Sequence, residues 1–512
     1  MTDTKKNIFL FLLFSSVALF AIFPRLGSLP LREWDESRQA ASAYEMYESG
    51  NYLVATFDHK PDLWNTKPPL LLWLQVLSMK ICGVGVTAVR LPSALAMFFS
   101  SLALFWFCVK LKRPLAGLIS ALVFVCSKGL LFYHCGRSGD YDALMIMFVI
   151  LYCGFFYLHT RLQKNKYLIL FFLFLSLATL TKGIQALIPL AGIFLFVLFT
   201  KNLVPLLRNR NTYIGLLLFV ILVGGFYVAR ESLAPGYLEA VWHNEAGGRF
   251  LTVIEEHSGG FWYYWDFIRD IQFPAFVWLL PVCFVINLLF KNKEARFANL
   301  YCGLIAIVYF IAISISKTKL EWYSLPLIPF FALIIGLALS QIYFFVSEKW
   351  ILISAKRNKD SKNSIFVLKT LMLAIILSLF YNPYSEIVKH NLAAKEDENN
   401  VAYYSRVNLM KMIADKESQN QYKEICYIIE EQAQLDFFYH YYMKENGVRV
   451  LKKTFADLNP GDYVQVNRPE TLEKIQQHYE TEETDFLVQS RILRLKSEKQ
   501  ENDGLISDNT EL

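Results

Sequence analysis

Residues 141 to 159 read YDALMIMFVILYCGFFYLH, a run in which almost every side chain is apolar. A helix needs about 20 apolar residues to cross the roughly 30 Å of hydrocarbon in a bilayer. Similar runs recur on both sides, and we predict roughly eleven spans, near residues 8–24, 88–109, 114–133, 141–159, 166–181, 183–200, 212–230, 272–290, 298–315, 324–346 and 364–382. With 54% hydrophobic and 19% charged residues among 512, the chain is too apolar for one globular core. The sequence predicts a polytopic α-helical membrane protein.

The short connections between the predicted spans are basic. Their lysines and arginines are Lys110, Lys112 and Arg113; Arg161, Lys164 and Lys166; Lys201, Arg208 and Arg210; Lys291, Lys293 and Arg296; and Lys356, Arg357, Lys359 and Lys362. Cytoplasmic loops carry such an excess of positive charge, so we predict a cytoplasmic N-terminus and an extracytoplasmic C-terminal region. The formal net charge of +6 is therefore explained by membrane topology, and we predict no nucleic-acid partner.

Neither the cysteines nor the N-terminal apolar run indicates a catalytic or metal site. The 8 cysteines form no CxxC pair and no zinc-ligand spacing, and most lie in apolar runs, which is typical of packing residues. The run from Ile8 to Phe23 is followed by Pro24 and Arg25 without a small-residue cleavage site, so we predict a retained anchor.

The elaborate loops fall on the predicted outer side, at residues 25–87 and 231–271. In the first loop, helical spacing from Asp35 until Gly50 predicts an amphipathic interfacial helix. A shorter apolar run from Pro68 to Ile81 predicts a second interfacial helix, because it is too short to span a bilayer.

The chain changes character after residue 382. Polar, mixed-charge sequence surrounds two strand-like pieces, at 424–429 and 463–466. We predict a membrane domain over 1–382, an extracytoplasmic α/β domain over 383–500, and a disordered tail over 501–512.

Ionisable residues gather near the predicted outer membrane face. They are Asp35, Glu36, Lys67, Arg137, Asp140, Asp142, Lys182, Lys317, Lys319 and Glu321. Carboxylates can accept a proton from an attacking hydroxyl, and cations can stabilise a departing phosphate. The mixture favours group transfer from a phosphate carrier.

Structural alternatives exist for most of these residues. Asp35 could cap the following helix, and Asp140 or Asp142 could do the same near Ala143. Lys67 could be a lysine whose ammonium reaches the interface. A basic pair on the outside, Lys317 with Lys319, runs against the positive-inside bias, so function is the better explanation there.

Several motifs in a fixed order carry a family resemblance. They are Trp34-Asp35-Glu36-Ser37-Arg38-Gln39-Ala40, Trp64-Asn65-Thr66-Lys67-Pro68-Pro69-Leu70, Arg90-Leu91-Pro92-Ser93, Arg137-Ser138-Gly139-Asp140-Tyr141-Asp142, Thr181-Lys182-Gly183, Glu256-His257-Ser258-Gly259, and the stretch from Lys317 to Pro326. Over roughly residues 8–346, the sequence resembles the ArnT-like glycosyltransferases related to protein O-mannosyltransferases. The resemblance implies the GT-C fold and a polyprenyl-phosphate sugar donor used on the extracytoplasmic side.

The resemblance also implies roles for individual residues. Asp35 and Asp140 match the family's acidic catalytic positions. The predicted substrate-binding residues are Glu36, Lys67, Arg137, Asp142, Glu256, His257, Lys317, Lys319 and Tyr323. We hypothesise a single displacement with inversion, in which Asp35 orients or deprotonates the acceptor hydroxyl. The departing phosphate is stabilised by Lys67, Lys317, Lys319 and Tyr323.

Two positions depart from the family pattern. In the aminoarabinose transferases a Glu precedes the lysine and a His lies near the Arg-Phe pair, and both have been linked to a bound metal. The corresponding residues here are Thr66 and Ala246. This departure argues against that metal and loosens the aminoarabinose assignment, whereas metal coordination by Asp35 and Asp140 stays open. We predict no definite cofactor.

The resemblance thus predicts an inner-membrane glycosyltransferase acting on lipid A or another cell-envelope lipid or glycan. A protein O-mannosyltransferase acting on Ser or Thr is the alternative within the enzyme class. The alternatives from other classes are a lipid-linked sugar transporter or flippase and a catalytically silent scaffold. Charged residues within the spans and inverted repeats would indicate a transporter or flippase.

Overall fold

The computed structural model describes residues 3–32, 34–132, 134–253, 257–356, 361–393, 401–414, 422–428, 436–438, 447–487 and 490–499. The chain divides into two compact units. The membrane unit comprises Met1–Ser28 and Ser42–Ala394, and the tail unit comprises Leu29–Ala41 and Lys395–Leu512. The domain boundary predicted at residue 382 falls inside a helix that continues to Ala393, because the helix runs on through the Asn382-Pro383 pair into a polar extension. The predicted disordered tail, 501–512, lies outside the described residues.

Helices make up most of the chain before residue 394. They are α1 (Asp3–Ile22), α2 (Asp35–Ser49), α3 (Leu70–Cys82), α4 (Val86–Lys110), α5 (Pro114–Val125), α6 (Lys128–Phe132), α7 (Tyr141–Leu162), α8 (Asn165–Lys182), α9 (Pro189–Phe199), α10 (Leu203–Arg208), α11 (Arg210–Phe219), α12 (Gly225–Leu233), α13 (Tyr237–Val241), α14 (Gly247–Leu251), α15 (Tyr263–Phe267), α16 (Leu279–Leu289), α17 (Lys293–Ile315), α18 (Ile328–Lys356) and α19 (Ser361–Ala393). Single 3₁₀ or π turns adjoin several of them, at Gly183–Leu187, Val220–Gly224, Trp242–Ala246, Ile268–Gln272 and Glu321–Leu327.

Within the described residues, 7 helices are long and apolar enough to cross a membrane. They are Val86–Lys110, Tyr141–Leu162, Asn165–Leu187, Arg210–Leu233, Lys293–Ile315, Glu321–Ser354 and Asn363–Ala393. The other predicted spans contain shorter apolar helices, at Asn7–Ile22, Pro114–Val125, Pro189–Phe199 and Leu279–Leu289. Pro189 at the first turn of α9 begins that helix later than predicted, and α5 is short because it ends at Val125, before α6. The predicted multi-pass membrane architecture is confirmed, although fewer helices than predicted have full spanning length.

Close helix contacts in the membrane unit depend on small residues. A Cβ atom on Gly336 of α18 would lie 2.5 Å from the carbonyl oxygen of Ala116 in α5. A Cβ atom on Gly192 of α9 would lie 2.5 Å from the Cα atom of Ile305 in α17. Because lipid supplies no hydrophobic force between helices, such close backbone approach is a principal source of packing energy.

A buried polar cluster joins α16, α17 and α18. The Asn287 amide donates to Asn299 Oδ1 at 3.0 Å and to the Ile334 carbonyl at 2.9 Å. The Gln341 amide donates to Asn287 Oδ1 at 2.6 Å. Asn287 and Asn299 are each 0% exposed, so their amides depend on one another for hydrogen bonds in an apolar environment.

The predicted helices of the first outer loop are confirmed as α2 and α3. Each ends at a glycine in the left-handed region, Gly50 with φ +69° and Gly83 with φ +82°. Between them a hairpin pairs β1 (Thr56–Phe57) with β2 (Lys60–Pro61). The Glu45 carboxylate of α2 accepts the His59 backbone N–H at 3.2 Å and so fixes the hairpin against the helix.

The tail unit contains a five-stranded mixed sheet. Its elements are α20 (Val401–Ala414), β3 (Glu424–Ile428), α21 (Asp436–Phe438), β4 (Arg449–Lys453), β5 (Tyr463–Val466), α22 (Pro469–His478), β6 (Tyr479–Leu487) and β7 (Ser490–Glu498). The strand order is β4-β3-β5-β7-β6, with β3 parallel to β4 and β5 and with β7 antiparallel to β5 and β6. Both predicted strands are present, and the small α/β domain predicted from sequence is confirmed.

Candidate functional site

The first turn of α2 carries Asp35 and Glu36. The Trp34 carbonyl accepts the Arg38 N–H at 2.9 Å, so Trp34 occupies the cap position and Asp35 is the first helical residue. The geometry therefore does not support Asp35 as the N-cap. Trp34 is 63% exposed and has φ +69°, a conformation that costs energy for a bulky residue and is frequent at functional sites.

Glu36 has a local role that was not predicted. Its carboxylate accepts the Arg32 backbone N–H at 2.6 Å, and the residue is 1% exposed. A buried carboxylate that binds the backbone in this way orders the turn from which Asp35 projects. We therefore interpret Glu36 as a positioning residue rather than a substrate ligand.

Lys67 forms an ion pair that the sequence did not reveal. Its ammonium lies 3.1 Å from Glu245 Oε1, and the Thr66 hydroxyl donates to the same oxygen at 3.0 Å. The side chains of Lys67 and Glu245 are 20% and 11% exposed. Glu245 lies on the π turn Trp242–Ala246. The only sequence signal for it was an acidic residue in the second large outer loop.

The segment that carries Lys67 is fixed from several sides. The Asn65 amide donates to the Tyr141 hydroxyl at 3.1 Å, and the Tyr237 hydroxyl donates to the Thr66 carbonyl at 2.7 Å. The Asp62 carboxylate accepts the Asn65 N–H at 3.1 Å. These contacts place the ammonium at a defined, half-buried position, which does not fit a lysine that merely reaches for interfacial water.

Asp142 and Lys182 form a second ion pair, which is fully buried. The Lys182 ammonium donates to Asp142 Oδ1 at 2.6 Å, and the two side chains are 4% and 3% exposed. The ammonium also lies 5.5 Å from the centre of the Tyr323 ring. Because the carboxylate is sealed against a lysine, the predicted substrate-binding role of Asp142 is not what this geometry favours. The pair ties α7 to α8.

Asp140 occupies the cap position of α7 without capping it, since its side chain makes no hydrogen bond to the helix N-terminus. The carboxylate instead accepts the Ser138 hydroxyl and lies 3.4 Å from His134 Nδ1. His134 stacks on Trp322 with 3.8 Å between ring centres. The predicted acidic site therefore includes a histidine that the sequence motifs did not single out.

Arg137 and Lys319 bind backbone carbonyls. The Arg137 guanidinium donates to the Ile22 carbonyl at 2.5 Å, at the end of α1. The Lys319 ammonium donates to the carbonyls of Ile313 and Ser314 at 3.0 and 2.6 Å, at the end of α17. Lys319 is 2% exposed, and burial lowers its pKa. Both residues thus bind carbonyls at helix C-termini, and their predicted role in substrate binding stays a prediction.

Backbone pairing connects the second large outer loop with the turn before residue 321. The Lys317 N–H donates to the Phe250 carbonyl at 3.1 Å, and the Lys319 N–H donates to the His257 carbonyl at 3.0 Å. The side chains of Lys317 and His257 are exposed, so both can meet a ligand. Glu256, also predicted to bind substrate, lies outside the described residues.

The family-linked metal does not fit this site. The Thr66 hydroxyl is a hydrogen-bond donor to Glu245, and alanine at position 246 has no ligand atom. Neither position offers the carboxylate or the imidazole of the family pattern. Coordination by Asp35 and Asp140 stays a prediction.

Solved structures share the fold of this chain. ArnT from Cupriavidus metallidurans bound to undecaprenyl phosphate aligns with a TM-score of 0.71 and 14% identity, covering 96% of this chain and 98% of that one. An Archaeoglobus fulgidus oligosaccharyltransferase aligns with a TM-score of 0.55 and 12% identity, covering 89% and 65% of the two chains. The chain is thus a polytopic membrane protein with the GT-C fold.

Sequence comparisons agree with the motifs. The family described as dolichyl-phosphate-mannose-protein mannosyltransferase matches residues 66–227. The undecaprenyl phosphate-α-4-amino-4-deoxy-L-arabinose arabinosyl transferase of Shewanella sediminis is 28% identical over 329 residues, covering 62% of this chain and 58% of the relative. The enzyme of the same name from Aeromonas hydrophila is 28% identical over 335 residues, covering 64% and 58%. The predicted resemblance to the ArnT-like and protein-mannosyltransferase-related family is confirmed, although the chain spans only about 58% of the length of these curated relatives.

Proposed function

We propose that the protein is an integral membrane glycosyltransferase that transfers a sugar from a polyprenyl-phosphate donor to lipid A or another cell-envelope lipid or glycan. Support comes from the GT-C fold and from relatives named as undecaprenyl-phosphate aminoarabinose transferases. The proposed location is the inner membrane, with the reaction on the extracytoplasmic face, as the basic short loops favour.

The observation that carries the proposal is the fixed, half-buried ammonium of Lys67. It belongs to a segment that Tyr141 and Tyr237 hold in place through hydrogen bonds, and Tyr141 is the first residue of a membrane-spanning helix. A preorganised cation at the end of the spanning helices can stabilise the charge that develops on a departing phosphate. A lipid-linked donor reaches such a position from the bilayer.

The proposed reaction is a single displacement at the anomeric carbon. An acceptor hydroxyl oxygen forms the new bond to this carbon while the bond to the phosphate oxygen breaks. The Asp35 carboxylate takes the hydroxyl proton, and the departing polyprenyl phosphate keeps the electron pair beside Lys67. The configuration at the anomeric carbon is inverted. No step requires a metal.

A protein acceptor is the second candidate. The family matched over residues 66–227 is named for mannosyl transfer to protein, and it covers the Lys67 segment and both acidic positions of α7. In that case the attacking group would be a Ser or Thr hydroxyl of a secreted protein, with the same donor chemistry.

Mass spectrometry of lipid A, envelope glycans and secreted proteins from a deletion strain will identify the acceptor. We expect one class of molecule to lose a sugar, and the gene for the wild-type chain to restore it. The Asp35→Asn variant should be present in membranes at the normal level but fail to restore the sugar, because its amide cannot accept the proton. Restoration by this variant would exclude the proposed role of Asp35.

The matched control is Asp58→Asn, which makes the same chemical change at an exposed hairpin turn of the first outer loop. Asparagine tolerates the left-handed backbone at that position, so this variant should restore the sugar. Transfer by the purified protein in detergent separates an enzyme from a flippase, since a flippase needs two membrane sides and would leave the donor unchanged.

A further inference from the structure

The Glu245 carboxylate lies against the ammonium of Lys67, the group to which the proposed function assigns the donor phosphate. Carboxylate and phosphate oxygens both seek the N–H donors of an ammonium group, and Glu245 Oε1 already lies 3.1 Å from the Lys67 Nζ atom. Glu245 and a phosphate group therefore compete for Lys67.

The surroundings of Glu245 suit an exchange of partners. The pair is only half-buried, so water and ligand can reach both groups. The Thr66 hydroxyl holds the same carboxylate oxygen at 3.0 Å, and this bond keeps Glu245 anchored when Lys67 turns to another anion. Glu245 also lies on a π turn, an irregularity that is frequent at functional sites.

We infer that Glu245 is the resident counter-ion of Lys67 and that the phosphate of a polyprenyl-phosphate ligand replaces it. Glu245 is thus a positioning residue that sets how strongly the site binds phosphate. It keeps the ammonium in place and its charge compensated while no donor is bound, and it raises the threshold for an anion to enter. The inference rests on the proposed function, because it assumes that Lys67 meets the donor phosphate.

The inference predicts a gain of affinity on removing a charge. In Glu245→Gln the amide keeps the size of the side chain and a hydrogen-bond partner for Thr66 but no longer competes as an anion. We expect undecaprenyl phosphate to bind about tenfold more tightly, a typical magnitude for one charge at a partly exposed site. A merely structural role of Glu245 would give unchanged or weaker binding.

The test measures binding of undecaprenyl phosphate to the purified full-length protein in nanodiscs. The matched control is Glu239→Gln, which removes a charge from the same outer loop, at a side chain that is 80% exposed, and should leave binding unchanged. Lys67→Ala should weaken binding. Adding Glu245→Gln to Lys67→Ala should give no gain in affinity, because the ammonium for which the two anions compete is absent. Unchanged or weaker binding by a folded Glu245→Gln variant overturns the inference.

Two further outcomes separate this inference from the proposed function. If the wild type does not bind undecaprenyl phosphate, or binds it equally well without Lys67, the proposed donor chemistry fails and the inference fails with it. If the wild type binds through Lys67 but Glu245→Gln binds no better, only the inference fails. Should Glu245→Gln not fold, Glu245→Asp retracts the carboxylate by one methylene and should also bind more tightly than the wild type. Equal or weaker binding by that variant then overturns the inference.

Discussion

Two lysine–carboxylate pairs in the membrane unit have the same chemistry but different burial. Lys182 and Asp142 are sealed, with side chains 4% and 3% exposed and 2.6 Å between the charged atoms. Lys67 and Glu245 are 20% and 11% exposed and lie 3.1 Å apart. Removing a sealed partner leaves an uncompensated buried charge, whereas a half-buried group can take water or a ligand instead. The comparison indicates that burial, rather than residue type, separates the structural pair from the exchangeable one.

The largest effect is expected from breaking the sealed pair. Lys182→Met leaves the Asp142 carboxylate without its cation in an apolar environment and should destabilise the protein by about 3–5 kcal/mol. Denaturant titration in detergent micelles measures this loss. The double variant Lys182→Met, Asp142→Leu should recover most of the stability, because no buried charge remains. A double variant as unstable as the single one would contradict this account.

A smaller effect is expected at the half-buried pair. Thr66→Val removes the hydroxyl that donates to Glu245, and one such hydrogen bond is worth about 1 kcal/mol. The same titration should therefore show a loss several times smaller than that of Lys182→Met. A loss as large as that of the sealed pair would mean that Glu245 depends on Thr66 far more than its partial exposure indicates.

The smallest effect is a pH dependence at Lys319. Burial lowers the pKa of this lysine from its ordinary value of 10.5, so the unfolded chain holds its proton in a pH window where the folded chain does not. The cost of burying the charge is fully present below the lowered folded pKa and is lost as pH rises toward 10.5, so stability rises with pH in that window. The difference in unfolding midpoint between the wild type and Lys319→Met should therefore shift in favour of the wild type as pH rises through this window. An opposite slope would contradict the assignment, and Lys317→Met, at an exposed position, is the control.

The membrane fold and the outer loop helices could be predicted from sequence because their signals are local. Apolar runs of spanning length mark membrane helices, and Gly50 and Gly83 mark the ends of α2 and α3. The strands at 424–428 and 463–466 likewise follow from their β-branched and aromatic residues. Helix lengths were less predictable, since an apolar run does not reveal where a proline delays a helix or a turn interrupts it.

The sequence motifs named candidate site residues, but they did not identify the partners that these residues contact. Glu245 is distant in sequence from Lys67, which it contacts, and no spacing rule connects the two residues. His134 is close in sequence to Asp140, but no motif singled it out. Arg137 and Lys319 carry the charge expected of phosphate ligands, yet their hydrogen bonds go to helix-end carbonyls that become visible only in three dimensions. Whether a cation binds substrate or a backbone is decided by tertiary geometry.

The amide cluster of Asn287, Asn299 and Gln341 has a mechanical consequence. Sliding α16 by one turn would separate all three hydrogen bonds that Asn287 makes, and sliding α17 or α18 would separate those to its own residues. The hydrocarbon around them offers no replacement donor or acceptor. The helices α16, α17 and α18 therefore have one allowed register and respond to force as a single stiff block. The turn that carries Lys317 and Lys319 follows the end of α17 and can move without breaking any of these three hydrogen bonds.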